Sequence, residues 1–228
     1  MGNPEQKIVP LTRIQRLIGK RMSASKHQKP CFYIGLKADV TELMGGRHKL
    51  KKSLGIKITT NAFYIRALAL ASKKYPLMAG RLEGEGIKIA ETINVGFAVN
   101  APQGLVVPVI KRVEEKTLAE IAREEKILTD KARSNRLALE DMEGETIALS
   151  NLGAYDIDSF IGIVPPPAST ILAVGNVISS VVPASGEASV RKMVSLTLAV
   201  DRRIAEEVYA AKFLNFIKEQ LGDPERLM

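Results

Sequence analysis

Hydrophobic positions along the chain follow two periods, and the switches between them mark off the predicted elements. Thr12 can cap a helix on which Ile14, Leu17, Ile18 and Met22 recur at helical spacing, with Arg13, Arg16, Lys20 and Arg21 making the other side basic. Pro30 stops this helix, and Cys31 to Ala38 alternates in the manner of a strand. Asp39, with Glu42 three residues on, forms a capping-box-like start to a second helix that reaches about Leu54. A third helix, from roughly Thr60 to Lys74, carries Ala62, Ile65, Ala69 and Leu70 and is closed by Pro76. Its small residues predict tight, buried packing.

After Gly80 the pattern turns to strands and tight turns: Ile87 to Ala90, Ile93 to Val99 and Gly104 to Ile110, the last two joined through Asn100–Gly104 as a hairpin. A long charged helix follows from Thr117 to about Asn135, with Leu118, Ile121, Ala122, Ile127 and Leu128 as its buried stripe. Strands at Thr146–Leu149 and Ser169–Val174 flank a loop from Ser150 to Pro167, and Val181 to Ser189 reads as another loop. A final strand, Val194 to Val200, runs through a polar turn at Asp201–Arg203 into a helix carrying Ile204, Val208, Ala211, Phe213, Leu214 and Ile217 on or near one face. The predicted class is α+β: clustered strands under long covering helices, with residues 1–10 as an extended arm and 11–228 as one core domain.

Composition narrows this little. A chain of 228 residues with 46% hydrophobic content can bury a substantial core. Cys31 is the only cysteine, which excludes an internal disulfide and suits a reducing compartment. No apolar run is long enough to span a bilayer and the start lacks a signal-peptide core, so a soluble cytoplasmic protein is expected. The net charge of +8 suits an acidic partner, but 5% aromatic residues, no Trp and no DNA or RNA motif favour a solvated basic surface over nucleic-acid binding. No metal site is expected.

Chemistry enters through four local motifs. The first is Pro10-Leu-Thr-Arg-Ile-Gln-Arg-Leu-Ile-Gly-Lys-Arg-Met22, and the second pairs Val95-Gly-Phe-Ala-Val99 with Gly104-Leu-Val-Val-Pro-Val-Ile110. The third is Thr146-Ile-Ala-Leu-Ser-Asn-Leu-Gly153 followed by Asp158-Ser-Phe and Val164-Pro-Pro-Pro-Ala-Ser-Thr-Ile-Leu-Ala-Val-Gly175; the fourth is the Asp201–Glu207 junction. In this order, over nearly the whole chain, they resemble the catalytic cores of the dihydrolipoamide acyltransferases, the E2 components of 2-oxo acid dehydrogenase complexes. The resemblance implies a chloramphenicol-acetyltransferase-like fold, a mixed sheet with covering helices, in trimers that place active sites between neighbouring subunits. It implies coenzyme A or acyl-coenzyme A as substrate, with the lipoyl group supplied by another domain or subunit. The lipoyl and peripheral-subunit-binding domains usual in the family are absent from the sequence. The ending, Leu221-Gly-Asp-Pro-Glu-Arg-Leu-Met228, resembles the family's C-terminal plug, implying a cubic or icosahedral shell held through Leu227 and Met228.

The family reaction moves an acyl group between a dihydrolipoyl thiol and coenzyme A. A thiol needs a general base to become a nucleophile, and the oxyanion that forms needs a donor where its charge develops. The resemblance places the donor at Ser150 and implies coenzyme A contacts at Arg13 and Ser150. At the junction the family reads Asp-His-Arg-x-x-Asp-Gly, with the His as base; here Arg202 holds the His position, Glu206 the Asp position and Glu207 the Gly position. Cys31 also stands where the family often has His. A guanidinium stays protonated, so Arg202 cannot act as base. The only histidines, His27 and His48, lie far from the junction in sequence, and His27 reads as an exposed or capping residue at the end of a basic helix. Glu206 is a conceivable substitute base, but Arg202 and Arg203 favour its charged form, and an Arg–Glu ion pair is the simpler reading. Three functions stay open: a core component with impaired acyl transfer and a scaffold role, since relatives lacking the His form cores or bind partners; an acyltransferase using Glu206, Glu207 or the substrate thiolate as base; and a protein that binds coenzyme A or another acidic ligand without turnover, through Arg13, Arg16, Lys20 and Arg21 or Arg202.

Overall fold

The computed structural model describes residues 8–184 and 187–228. Residues 1–7 of the expected arm and the side chains of Ile14 and His48 lie outside the described residues. In chain order the elements are α1 (Arg13–Gln28), β1 (Cys31–Asp39), α2 (Thr41–Leu54), α3 (Thr60–Lys74), β2 (Arg81–Glu83), β3 (Gly86–Lys88), β4 (Val95–Phe97), β5 (Val99–Ala101), β6 (Gly104–Val106), β7 (Val109–Ile110), α4 (Leu118–Arg133), β8 (Ile147–Asn151), β9 (Thr170–Ala184), β10 (Glu187–Asp201) and α5 (Glu207–Gly222).

Helix starts follow local chemistry. Thr12 accepts from the Gln15 amide while the Gln15 side chain accepts from Thr12, a reciprocal capping box, and Thr117 with Glu120 repeats it at α4. At α2 the sequence expectation is corrected. Asp39 accepts from the amide and hydroxyl of Thr41, at 2.9 and 2.6 Å, rather than pairing with Glu42, because the chain turns two residues after the aspartate.

The main sheet has strand order β1-β10-β9-β8-β4-β7. It is mixed: β8 runs parallel to both β4 and β9, and the remaining pairs are antiparallel. On one face Val194, Leu196, Leu198 and Val200 of β10 meet α3 and α5 in the large core, with Phe63, Leu68, Phe213 and Ile217 fully buried. The opposite face carries a smaller cluster, Ala148, Ile171 and Ala199, covered by Val164 and Ala168 of the loop before β9. Alternation along each strand therefore decides which face a residue serves.

Three expectations give way here. The predicted hairpin at Ile93–Ile110 is divided: β4 pairs with β7 in the main sheet, while β5 and β6 form a separate two-stranded ribbon. Pro108 lies between the pieces and has no N–H to donate, so only its carbonyl takes part, accepting from Phe97 at 2.9 Å. The expected loop at Val181–Ser189 is the tip of the β9–β10 hairpin, paired from Ala184↔Glu187 inward. Pro183 is tolerated because β8 leaves β9 at Val174, and beyond it the outer side of β9 is an edge on which a missing N–H breaks no ladder. In α5, which begins at Glu207 rather than Ile204, Val208 is exposed and Ala210 takes the core-facing place.

Candidate functional site

Ser150 sits near the end of β8, directly beside Ala173 of β9. The chain then turns sharply through Asn151-Leu-Gly153. Asn151 Oδ1 accepts from the Gly153 amide at 2.8 Å, and Leu152 N donates to the Val174 carbonyl at 3.0 Å. Two glycines make the turn possible. A Cβ on Gly153 would stand 2.6 Å from the Gly175 carbonyl, and one on Gly175 would stand 1.8 Å from the Asp158 carbonyl. The Ser-Asn-Leu-Gly motif is thus a packing requirement as well as a chemical one.

Ser150 lines an open cavity of about 640 Å³. Its walls come from the start of α3 (Thr59, Asn61, Tyr64), from α4 (Glu125, Thr129, Arg133), and from Tyr155, Asp156 and Asn176. Glu125 is only 6% exposed. The Thr59 hydroxyl donates to its carboxylate, and burial pushes the carboxyl up while the bonds from Thr59 and Asn61 pull it down. Asn151 Nδ2 in turn donates to Asn61 Oδ1 at 2.7 Å. Asn176 Nδ2 donates to Asp156 at 2.7 Å, and Asn176 Oδ1 is a buried acceptor with no partner among the described residues. The walls therefore offer hydroxyls, amides and one buried carboxylate rather than a cluster of cations.

The Asp201–Glu207 turn is a separate place. Asp201, 1% exposed, ends β10 and accepts from Arg203 Nε and Nη2 at 2.9 and 2.6 Å. Arg202 is exposed; its amide donates to the Pro30 carbonyl at 3.0 Å, and its Nε donates to Glu207 at 2.9 Å. The Arg–Glu pair expected with Glu206 is corrected: Arg202 pairs with Glu207 instead. Glu206 is exposed at the N-cap of α5 and makes no side-chain capping bond. From Ser150 the register runs through Ala173 to Thr197, and Arg202 lies five residues further on, just past the end of β10, a separation of about 19 Å. Within one chain, therefore, the structure does not bring Ser150 together with Arg202 or Glu206.

Beside that turn is a second cavity of about 250 Å³, lined by Ser25, Lys29, Cys31 and Tyr33 with Gly162–Val164. Burial pushes the Lys29 amine down, and burial with the nearby Asp201 pushes the Cys31 thiol up. Cys31, expected as a small buried residue, is only partly buried: it packs against the smaller core cluster and lines this cavity. His27 is exposed, its Nδ1 bonded to the Ser23 carbonyl at 2.7 Å. Arg13 is exposed at the start of α1 and lines neither cavity. Leu227 corrects an expectation: it is 0% exposed, packed into the core of its own chain, because the short helical turn Pro224–Leu227 folds back onto it. Only Met228, 55% exposed, remains outward.

Sequence reasoning missed Asn61, Asn151 and Glu125. The first two carried no motif that pairs them. The third had a signal, since Glu125 falls at helical spacing among Leu118, Ile121, Ala122 and Leu128.

A mixed sheet with helices on one face and a serine turn beside a polar cavity define a chloramphenicol-acetyltransferase-like fold; that enzyme itself aligns with a TM-score of 0.55 over 89% of this chain and 94% of its own, at 14% identity, a likeness of fold alone. The family model described as 2-oxoacid dehydrogenases acyltransferase (catalytic domain) matches residues 3–228, and the chain belongs to that family. It is 33% identical over 220 residues to the lipoamide acyltransferase component of the branched-chain alpha-keto acid dehydrogenase complex of Bacillus subtilis, covering 94% of this chain and 52% of the relative. A solved structure of a probable dihydrolipoamide acetyltransferase from Listeria monocytogenes aligns with a TM-score of 0.91 at 34% identity, covering 96% of this chain and 95% of that one. The cubic core of a pyruvate dehydrogenase multienzyme complex aligns with a TM-score of 0.94 at 30% identity, covering 98% and 94%. The chain spans about half the length of the curated relatives it matches.

Proposed function

We propose that this chain is an E2-type core component of a 2-oxo acid dehydrogenase complex in which acyl transfer between a dihydrolipoyl thiol and coenzyme A is strongly impaired, so that its main role is assembly. The observation that carries this is the Arg202–Glu207 pair. At the position where the resemblance implies the catalytic base stands a guanidinium that cannot give up a proton, held by a carboxylate at 2.9 Å. Ser150 keeps its place on the cavity wall. In the mechanism of the family, the base draws the proton from the attacking thiol while the serine hydroxyl donates to the oxyanion. This chain retains the second function and lacks the first.

The separation of about 19 Å between Ser150 and Arg202 supports a trimer in which the junction of one subunit meets the serine cavity of the next. Similarity to a cubic core supports a larger shell, with Met228 rather than Leu227 as the outward C-terminal contact. Coenzyme A, approached by Arg13 and the basic side of α1, and a lipoyl group borne by another domain or subunit are the proposed substrates. The single free Cys31 suits the cytoplasm.

The test is acyl transfer from acetyl-coenzyme A, and from a branched acyl-coenzyme A, to free dihydrolipoamide. A parent near background and an Arg202→His chain at least about 10²-fold faster are the expected outcome. Robust turnover by the parent would contradict the proposal and point to a substitute base.

A further inference from the structure

The buried stripe of α4 consists of Leu118, Ile121, Ala122, Glu125, Leu128 and Ala132. One of the six is a carboxylate. Two residues on, Ile127 is 54% exposed, so this helix buries an acid and exposes an isoleucine. For stability the arrangement is inverted, since burial penalises a carboxylate and rewards an aliphatic side chain. Such an inversion on the wall of a cavity calls for a local role.

The hydrogen bonds around Glu125 supply one. A carboxylate only accepts, so Asn61, which bonds to it, must present its NH₂ there. That turns Asn61 Oδ1 outward, where it accepts from Asn151 Nδ2 at 2.7 Å. Asn151 is then left with Oδ1 to accept from the Gly153 amide at 2.8 Å. The Glu125 carboxylate at one end and the Gly153 amide at the other hold both side-chain amides in one mutually consistent orientation, and the chain of bonds ends on the turn that follows Ser150. An isoleucine or leucine at position 125 would leave the Asn61 NH₂ without its acceptor, so that Asn151, still oriented by the Gly153 amide, would lose the braced partner for its own NH₂. Thr59 ties the same carboxylate to the start of α3, where its hydroxyl also accepts from the Ala62 amide.

We propose that Glu125 is a positioning residue for acyl transfer: through Asn61 and Asn151 it braces the turn that follows Ser150 on the cavity wall. This rests on the reading of Ser150 as the oxyanion donor. Glu125 touches no reacting atom in this scheme; it anchors Asn61, the acceptor on which the Asn151 side chain rests.

Two variants, Glu125→Leu and Glu125→Gln, test it, each made alone and with Arg202→His. Glu125→Leu trades the buried carboxylate for an aliphatic side chain and leaves the Thr59 and Asn61 donors unpaired, so it melts within a few degrees of its parent, while hydrogen–deuterium exchange quickens several-fold across residues 150–155 alone. In the Arg202→His chain it lowers kcat roughly ten- to a hundredfold with KM for coenzyme A little changed, as expected for a misaimed donor. Glu125→Gln keeps one acceptor oxygen and retains most of the rate. Unchanged exchange at 150–155 in Glu125→Leu overturns the proposal. So does a fall in melting temperature with exchange rising across the whole chain, which would make Glu125 a residue of the fold. If Arg202→His restores no transfer, the proposed function fails, while the exchange measurement still decides the role of Glu125.

Discussion

The turn after Ser150 and the turn from Asp201 to Glu207 lie about 19 Å apart on one sheet and are held by opposite means. The first is set by side-chain amides, close glycines and a buried carboxylate, so each group has one geometry available. The second is anchored by buried Asp201, Ile204 and Ala205 and carries at its surface an exposed ion pair between Arg202 and Glu207. Water and salt screen that pair, and little in the fold depends on it. The contrast places Arg202 where substitution costs the fold almost nothing, whereas the serine turn cannot be altered without disturbing its neighbours.

The sharpest way to break this comparison lies inside the second turn. Asp201→Ala removes a buried carboxylate that accepts from the Arg203 backbone amide and guanidinium, and is expected to cost about 2–3 kcal/mol. Arg202→Ala, one residue on, is expected to cost less than about 0.5 kcal/mol. Chemical denaturation of both variants reads the difference directly; equal losses would mean that the exposed pair also holds the turn.

A smaller effect sharpens the account of the first turn. Burial raises the Glu125 carboxyl above its ordinary value of 4.5. Below that pH the group is protonated both folded and unfolded. Between 4.5 and the raised value the unfolded chain gives up this proton more readily, so the parent loses stability as pH rises, and the loss levels off above the raised value. Glu125→Gln has no proton to lose there. Its melting temperature relative to the parent should therefore climb from about pH 4.5 upward and then flatten. A pH-independent difference would show that the carboxyl titrates in its ordinary range. Arg133 and Asp156 on the same walls are present in both chains and largely cancel in the comparison.

Much of this organisation was legible in the sequence where it is local. Helix caps at Thr12 and Thr117, the strand–turn–helix junction and the Ser150-Asn-Leu-Gly153 turn are all written within a few residues of one another. What escaped notice depends on distant partners or on position in the sheet. Asn61 and Asn151 are 90 residues apart in sequence, and nothing in either segment announces the bond between them. Glu125 was hidden by a rule that assigns the stripe to hydrophobic residues and so extended it to Ile127, though the spacing itself pointed to 125. The hairpin tip, expected as a loop, holds Pro183, which is costly in a central strand; only the end of β8 at Asn151 makes that strand an edge. Leu227 read as an outward plug because the local motif carries no sign of how the chain end folds back.

The central claim is that Ser150 and the junction at position 202 are two halves of one site carried by different subunits. Co-assembly tests it most directly, pairing a chain that carries both Arg202→His and Ser150→Ala with the parental chain. Alone, the doubly substituted chain should run about 10²- to 10³-fold below Arg202→His, having lost the oxyanion donor. Mixed shells should regain transfer to within about tenfold of Arg202→His, because the parental chain supplies Ser150 across the interface. Mixed shells as silent as either chain alone, with Arg202→His itself active, would contradict a shared site.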